Sequence, residues 1–303
     1  MEFLTKNIPI QEVKLDFETD VQLFIKREDL IHPFVSGNKF RKLTYNLAEA
    51  KAQQQNTLLT FGGAYSNHIA AVAAAGKLQG FKTIGIIRGE ELVHKIESNP
   101  TLQFAIKNGM HLKFITRNAY REKTSEAFAT QLTEEFGRFY SIPEGGTNEL
   151  AVKGCAEIIT EKEKDFDVIC CAVGTGGTIA GLSHGAFLHQ QILGFPALKG
   201  DFLRKEIAQY THKNNWQLIS DYHFGGYGKV SDTLITFINQ FKQQTKIPLD
   251  PIYTGKMLFG IIDLIKNGHF AKQNRILAIH SGGLQGIEGM NQKLQKKGQQ
   301  TII

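Results

Sequence analysis

The segment DFDVICCAVGTGGTIAGLSHGAF, residues 165–187, joins an apolar run to a glycine-rich loop and then to a pattern of helical spacing. Its apolar residues 168–173 are typical of a strand buried on both faces, as strands are in parallel sheets. Gly174, Gly176 and Gly177 let the chain turn sharply into the following helix. This order of strand, loop and helix predicts an α/β fold.

The same alternation of short β-branched runs and longer helical patterns continues along the chain, which favours parallel strands joined by helices. Residues 45–150 form a compact series of this kind, and within it residues 66–80 predict a helix from a Ser/Asn cap to Gly80. Since 303 residues exceed the usual size of one core, two domains or one large α/β unit are expected.

The composition, with 42% hydrophobic and 21% charged residues, is that of an ordinary soluble globular protein. A formal charge of +6 raises the question of nucleic-acid binding, but Lys and Arg are spread along the chain and form no basic stripe with aromatic residues. Nucleic acid is therefore not an expected partner.

The three cysteines are Cys155, Cys170 and Cys171, and adjacent residues of one strand point to opposite faces, so a disulfide framework is not expected. The first residues lack an apolar run of signal-peptide length, and no later run approaches the roughly 20 apolar residues of a membrane-spanning helix. We expect a cytoplasmic protein that does not bind membranes.

The loop VGTGGTIAG, residues 173–181, has the composition of a phosphate-binding turn. Its glycines let backbone N–H groups point at a phosphate, and Thr175 and Thr178 add hydroxyl donors. The dinucleotide pattern G-x-G-x-x-G fails because Ile179 stands at the third glycine, and the lysine of a Walker A loop is absent. A phosphate that belongs to neither NAD nor ATP is expected, with a ligand-free turn as the alternative.

A second glycine turn, FGGAYSNHIAA at residues 61–71, also opens a helix. Backbone N–H groups there, with Ser66 and Asn67, suit a substrate carboxylate, although N-capping alone explains both side chains. His68 by itself is more typical of a packed or capping histidine. No His, Cys, Asp and Glu group has the spacing of metal ligands, so no metal is predicted.

Three further segments carry candidate residues: SGNKFRKL with Lys39, Arg41 and Lys42, FGGYGKV with Tyr227, and LDPIYTGKM with Tyr253 and Thr254. Spacing alone does not separate the three cations of the first segment. Tyrosines beside glycines commonly pack over turns, so each tyrosine taken separately also has a structural explanation.

Together these segments resemble the pyridoxal-phosphate (PLP) enzyme family that includes D-cysteine desulfhydrase and 1-aminocyclopropane-1-carboxylate (ACC) deaminase, of the tryptophan-synthase-β-like fold (fold type II). The motifs occur in the family's order over nearly the whole chain: KREDL, SGNKFRKL, GGAYSNH, PEGGTNELAVKG, AVGTGGTIAGL, LDPIYTGKM and HSGG. The resemblance implies two three-layer αβα domains with mostly parallel twisted sheets and PLP in the cleft between them. It places residues 1–44 and 151–303 in a large domain and residues 45–150 in a small inserted one, and it implies a homodimer.

By this resemblance, Lys39 binds PLP covalently and moves a proton at the substrate Cα, chemistry that suits a lysine whose pKa is lowered by burial. Lys42 matches a lysine near the cofactor phosphate. Asn67 is similar to the residue that hydrogen-bonds the ring hydroxyl, and Thr254 to the residue that faces the ring nitrogen. The implied phosphate cup is Gly174, Thr175, Gly176, Gly177 and Thr178.

Ser66 and His68 match positions around the substrate carboxylate, and Tyr227 and Tyr253 match active-site tyrosines, one of which assists proton movement. Tyr65 departs from the family, which usually has glutamine beside the carboxylate-binding serine, so a bulkier ring is expected to reshape the substrate pocket. Arg41 is left as a residue of a solvated helix face or a domain contact.

The implied reaction depends on two of these positions, because PLP is an electron sink and the protein decides which bond breaks. ACC deaminases typically carry glutamate where this chain has Thr254 and glutamine where it has His68, whereas desulfhydrases have threonine and histidine. A hydroxyl, unlike an acid, is not expected to hold a proton on the ring. Both departures favour α,β-elimination of D-cysteine to pyruvate, ammonia and hydrogen sulfide.

Three alternatives stay open at this point. The nearest is ACC deamination, which gives 2-oxobutyrate and ammonia. The others are an NAD(P) oxidoreductase, which the α/β pattern also allows, and a PLP-binding protein without catalytic activity.

Overall fold

The computed structural model describes residues 7–303, so residues 1–6 of the expected large domain lie outside the described residues. Ten strands lie in this part of the chain: β1 (Ile10–Val13), β2 (Gln22–Lys26), β3 (Thr57–Gly62), β4 (Lys82–Arg88), β5 (Met110–Ile115), β6 (Tyr140–Ile142), β7 (Val168–Val173), β8 (Gln191–Pro196), β9 (Trp216–Leu218) and β10 (Arg275–Ile279).

Eleven α-helices connect or follow these strands in the described residues: α1 (Asn38–Ala52), α2 (Asn67–Gln79), α3 (Pro100–Lys107), α4 (Arg117–Arg121), α5 (Glu126–Phe136), α6 (Glu149–Ala156), α7 (Gly177–Gly185), α8 (Phe202–Ala208), α9 (Asp232–Thr245), α10 (Thr254–Lys266) and α11 (Gly286–Gln295).

The strands form two sheets. The larger has the order β1-β2-β10-β7-β8-β9, and the smaller has the order β5-β4-β3-β6. All pairings are parallel except that of β1 with β2. This arrangement confirms the α/β class with mostly parallel sheets.

Each sheet is covered on both faces, because neighbouring residues of a strand belong to different hydrophobic clusters. In β2, Leu23 and Ile25 pack in one cluster while Phe24 packs against another. In β3, Leu58 and Leu59 divide in the same way. Since successive side chains point to opposite faces of a sheet, each sheet is the middle layer of an αβα sandwich.

The elements agree with the sequence pattern where that pattern is local and strong. α2 begins after a Ser66 cap and ends at Gly80, which adopts the left-handed conformation with φ 75°, and β7 is buried along its whole length. Four of these elements were not predicted: β1, β6, α4 and α11. The division at residues 45 and 150 stays a prediction; residue 45 lies inside α1, and all strands of the smaller sheet fall within residues 57–142.

Within residues 7–303, no helix is both long and apolar enough to cross a membrane.

Candidate active site

The loop between β7 and α7 lies at the carboxyl edge of the larger sheet and is shaped by its glycines. Gly176 has φ 85°, and a Cβ there would lie 2.8 Å from Cγ1 of Ile207. At Gly177, a Cβ would lie 2.8 Å from the Thr147 side chain and 3.1 Å from Nζ of Lys42. Side chains are therefore excluded at positions 176 and 177, where α7 begins and backbone N–H groups lack helical partners.

Two of the three cations of SGNKFRKL meet at this loop. The Nζ atoms of Lys39 and Lys42 both donate to the carbonyl oxygen of Gly145, at 3.3 and 3.1 Å. Lys42 also donates to Oγ1 of Thr147 at 2.8 Å, and that hydroxyl lies 2.6 Å from Oγ1 of Thr175. The two lysines share one acceptor because they are three residues, about one turn, apart on the same face of α1.

Arg41 has a different environment, and its interpretation as part of a solvated helix face is wrong. Its Nε and Nη2 donate to the Glu28 carboxylate at 2.9 and 2.8 Å, and this carboxylate is fully buried. The pair is a bidentate one of the kind that fixes side-chain geometry. Arg41 thus holds α1 against the segment that follows β2.

Burial lowers the pKa of each ionisable nitrogen in this cluster. Burial, with a smaller contribution from the nearby Lys42 charge, lowers the pKa of Lys39 to about 7. Burial also lowers the pKa of Lys42. For His68 the pKa falls well below its usual range, first because of burial and then because of Lys39 and Lys42. His68 is therefore a neutral imidazole at neutral pH, and its Nε2 lies 2.8 Å from Oγ1 of Thr60.

The start of α2 lies beside this cluster. Ser66 Oγ accepts from the backbone N–H groups of His68 and Ile69, at 3.2 and 3.4 Å, which confirms its capping role. Oδ1 of Asn67 accepts from Nε2 of Gln285 at 2.9 Å, so α2 is joined to the segment that follows β10.

Tyr65 points elsewhere. A Cβ at Gly289 of α11 would lie 2.8 Å from its ring, and Nζ of Lys293 lies 5.6 Å from the ring centroid. The ring contacts described for Tyr65 are thus with α11 and not with the other predicted site residues. Tyr65 as a whole is 37% exposed.

The two tyrosines come together over the glycine loop. The rings of Tyr227 and Tyr253 meet edge to face, with centroids 6.1 Å apart. A Cβ at Gly174 would lie 3.3 Å from Oη of Tyr253. Burial raises the pKa of both phenols, that of Tyr253 well above its usual range, so both are protonated at neutral pH.

Thr254 is held by a carboxylate that sequence reasoning missed. Asp250 is 1% exposed, and its Oδ1 accepts from the backbone N–H of Thr254 at 2.8 Å and from its hydroxyl at 2.7 Å. Oδ2 accepts from the N–H groups of Ile252 and Tyr253, both at 2.9 Å. An aspartate just ahead of a predicted helix is a capping signal that could have identified Asp250.

Sequence reasoning also missed Asn38, Gly145 and Thr147. Nδ2 of Asn38 donates to Oγ1 of Thr178 at 2.8 Å, which joins the start of α1 to the start of α7. Gly145 and Thr147 belong to the quoted motif PEGGTNELAVKG, but their contacts with Lys42 span more than 100 residues and have no local signal.

This arrangement suits a phosphate ester with a reactive carbonyl. The start of α7 offers backbone N–H groups, hydroxyls and the Lys42 amine around a space that a Cβ at Gly177 would enter, and the Lys39 amine beside it has a pKa lowered to about 7. The residues present therefore fit PLP, which carries both a phosphate and an aldehyde.

A family model described as "Pyridoxal-phosphate dependent enzyme" matches residues 2–282. The chain belongs to this family, a finding that decides against the NAD(P) oxidoreductase alternative.

Among its relatives is a protein of Pyrococcus horikoshii provisionally named 1-aminocyclopropane-1-carboxylate deaminase, 32% identical over 97% of this chain and 94% of that protein. Another is the bifunctional D-cysteine desulfhydrase/1-aminocyclopropane-1-carboxylate deaminase of Arabidopsis thaliana, 30% identical over 88% of this chain and 73% of that protein. A solved structure of an ACC deaminase homologue superposes with a TM-score of 0.83 at 30% identity, covering 97% and 95% of the two chains.

Proposed function

We propose that this PLP-dependent enzyme is a lyase that converts D-cysteine and water to pyruvate, ammonia and hydrogen sulfide. The chemistry of the described site and the name of the Arabidopsis relative, which includes this activity, support the proposal. His68 and Thr254 are the residues that the family resemblance associates with desulfhydrases.

In this proposal the cofactor is held by residues of the helices α1, α2, α7 and α10 and of the loop before α7. Lys39 binds it covalently, Asn67 faces the ring hydroxyl and Thr254 faces the ring nitrogen. The phosphate is bound by the start of α7 and by Lys42, with the cup formed by Gly174, Thr175, Gly176, Gly177 and Thr178. When bound, PLP supplies an electron sink for negative charge at the substrate Cα.

The observation that supports the choice of reaction is the position of the Lys39 amine, which shares the Gly145 carbonyl oxygen with Lys42 and whose pKa burial lowers to about 7. A base works best when its pKa lies near the working pH, and α,β-elimination begins with removal of the proton at Cα. D-cysteine has that proton, whereas ACC has none. Lys39 is therefore suited to the step that D-cysteine requires.

The remaining site residues have roles that follow from their charge. Ser66 and Asn67, at the start of α2, bind the substrate carboxylate, and the neutral imidazole of His68 lies beside them. Tyr227 and Tyr253 are protonated phenols, so one of them donates a proton to the departing sulfur. A role of Tyr65 in the substrate pocket stays a prediction, because the described contacts of its ring are with α11.

The test is a panel of D- and L-amino acids with β-substituents, together with ACC, assayed for oxo acid and sulfide. We expect sulfide and pyruvate from D-cysteine, and a loss of about 10⁴-fold in kcat for Lys39→Ala. The exposed Lys82→Ala on β4 is the matched control and keeps full activity. Release of 2-oxobutyrate from ACC without sulfide from D-cysteine would overturn the proposal in favour of ACC deamination.

We also propose a cytoplasmic homodimer, which the family resemblance supports. Light scattering of the purified chain at micromolar concentration tests the dimer, and a monomeric mass contradicts it.

A further inference from the structure

We propose that Lys256 is a positioning residue for the reaction: it holds the tyrosine loop, residues 222–229, against α10 and thereby keeps the Tyr227 hydroxyl in the site. The inference rests on the proposed function, in which a tyrosine donates a proton to the departing sulfur, and it assigns that role to Tyr227. Lys256 belongs to the motif LDPIYTGKM and lies two residues after Thr254.

The Lys256 amine is buried and bonds to two backbone carbonyl groups of the tyrosine loop. Lys256 is 2% exposed, and its Nζ donates to the carbonyl oxygens of His223 at 2.8 Å and Gly226 at 2.9 Å. None of the ion pairs within residues 7–303 includes this amine. Burial lowers its pKa to about 8, so it is mostly charged at neutral pH. A buried charge is costly unless it is hydrogen-bonded, so these two bonds link α10 firmly to the loop.

The two carbonyl oxygens that Lys256 binds also close two consecutive turns of the loop. The oxygen of His223 accepts from the N–H of Gly226 at 3.0 Å, and the oxygen of Gly226 accepts from the N–H of Lys229 at 3.2 Å. Tyr227 is the second residue of the second turn. Lys256 therefore joins both turns where they close, and one of these points lies directly before Tyr227.

The backbone of the tyrosine loop does not by itself favour this conformation. The loop lies between β9 and α9 and contains neither a strand nor a helix. Positive φ angles flank Tyr227 on both sides, at Phe224, Gly225, Gly226 and Gly228. Glycine loses more conformational freedom on folding than any other residue, and φ 52° at Phe224 is uncommon for a residue with a side chain. Contacts from outside the loop are therefore needed to hold it.

These contacts come from one face of α10. The hydroxyl of Tyr222 donates to Asp263 at 2.7 Å. The rings of Phe224 and Phe259 meet edge to face with centroids 5.0 Å apart. Positions 256, 259 and 263 are three or four residues apart and so share a face of the helix. The loop thus runs along α10 towards the N-terminus of that helix.

Lys256 provides the contact on this face that is nearest to Tyr227. Gly226, whose carbonyl it binds, directly precedes Tyr227, and Lys256 itself lies three residues after Tyr253, whose ring the Tyr227 ring meets. Tyr227 is 44% exposed, so its side chain is open to a substrate. Loss of the lysine would let the loop shift along α10, and a misplacement of about 1 Å can lower a reaction rate about 100-fold.

A double-variant cycle with the PLP-loaded enzyme tests the inference, with D-cysteine as substrate and sulfide as the measured product. Tyr227→Phe should lower kcat by about 100-fold, the effect of one positioned acid. Lys256→Met removes the donors and should lower kcat by about 10- to 100-fold, with KM within about threefold of wild type. If Lys256 acts through Tyr227, adding Lys256→Met to Tyr227→Phe should change kcat by less than about twofold.

Lys266→Met is the matched control. Lys266 is an exposed lysine of the same helix, and its Nζ lies 5.0 Å from the centroid of the Phe17 ring, away from the loop. This variant should keep the kcat of wild type. Hydrogen exchange measured by mass spectrometry should be faster for residues 222–229 in Lys256→Met than in Lys266→Met. Lys256→Gln retains two N–H donors on a side chain one bond shorter, so it should keep more of kcat than Lys256→Met.

The outcomes separate this inference from the proposed function. Losses that multiply in the double variant overturn the inference alone, as does a wild-type kcat in Lys256→Met or in Tyr227→Phe, or unchanged exchange of the loop. In each of these cases wild type still releases sulfide from D-cysteine. A wild type that releases none overturns the proposed function, and this inference with it. If Lys256→Met does not fold, the same cycle with Lys256→Gln decides, and its loss of kcat should likewise disappear in the Tyr227→Phe background.

Discussion

The helices α7 and α10 differ in what satisfies the unpaired backbone N–H groups at their N-termini. Both helices begin at the site, and both offer unpaired backbone N–H groups there. At α10 the protein fills the position with its own anion, Asp250, which binds three N–H groups. At α7 the cap residue is Gly176, no side chain caps the helix, and the first turn has no acidic residue.

The difference explains what each helix can do. An uncapped start with a buried lysine beside it is suited to an anion that the protein must acquire, such as the PLP phosphate. The start of α10 is already neutralised by Asp250 and does not attract a second anion. Its carboxylate instead holds the Thr254 side chain in one orientation. The four predictions below test this difference between the two helix starts.

The largest effect is expected when the Asp250 carboxylate is removed. Asp250→Ala leaves three backbone N–H groups and the Thr254 hydroxyl without their acceptor, and we expect a loss of about 3 kcal/mol in the free energy of unfolding. Urea unfolding of the PLP-free protein measures it. Asp232→Ala, an exposed first-turn residue of α9, is the control and should change stability by less than about 0.5 kcal/mol. Equal losses in the two variants would contradict the role of Asp250.

The second effect concerns Lys42, which lies beside the uncapped N-terminus of α7. Lys42→Met should raise the Kd for PLP by about 10- to 100-fold, since a hydrogen bond to a charged group contributes about 1.5–3 kcal/mol. Titration of the PLP-free protein by absorbance measures this. The thermal stability of the PLP-free protein should change much less, because removal of a buried amine also removes its desolvation cost. A Kd within twofold of wild type would show that Lys42 does not contact the phosphate.

The third prediction distinguishes the cost of backbone strain from the loss of space for the phosphate at the start of α7. Gly176→Ala and Gly80→Ala both force a side chain into a left-handed conformation, with φ 85° and 75°, and each should cost about 1–2 kcal/mol of stability. Only at Gly176 does the new Cβ meet another side chain, 2.8 Å away, whereas nothing lies within 4 Å at Gly80. PLP affinity should therefore fall, by about tenfold, in Gly176→Ala alone. An equal fall in both variants would attribute the loss to general destabilisation.

The smallest effect is the pH dependence of PLP capture. Only the neutral Lys39 amine attacks an aldehyde, and its pKa is lowered to about 7, so the capture rate should rise about threefold between pH 6.5 and 7.5 and level off above pH 8. Stopped-flow absorbance follows this rate. Because the Lys42 charge helps to lower the pKa of Lys39, Lys42→Met should shift the curve to higher pH. A curve that rises without levelling up to pH 9 would contradict the lowered pKa.

The fold was predictable where the signal lies in neighbouring residues. β7, its glycine loop and α7 are adjacent in the chain, so burial and turn chemistry together identified them. β1 was missed because it has only four residues and pairs at a sheet edge. α11 was missed because its segment, GIEGMNQKLQ, has two glycines and few apolar residues, and tertiary packing decides its structure.

The site was predictable to a smaller extent. Positions such as Lys39 and Asn67 came from ordered motifs, but the environment of Lys42 depends on Gly145 and Thr147, more than 100 residues away. Tyr65 shows the same limit, because its packing against α11 requires a helix that was not predicted. Asp250 differs, since its capping of α10 is local and was within reach of sequence reasoning.

The crossing of α1 and α6 has a consequence for which substitutions the chain tolerates. α1 leads into the smaller sheet and α6 leads out of it, and they touch so closely that a Cβ at Gly154 would lie 2.0 Å from the carbonyl oxygen of Arg41. The two connections of the smaller sheet are therefore in direct backbone contact. A larger residue at position 154 would push α6 away from α1, so a single substitution there would disturb both ends of the segment that carries the smaller sheet.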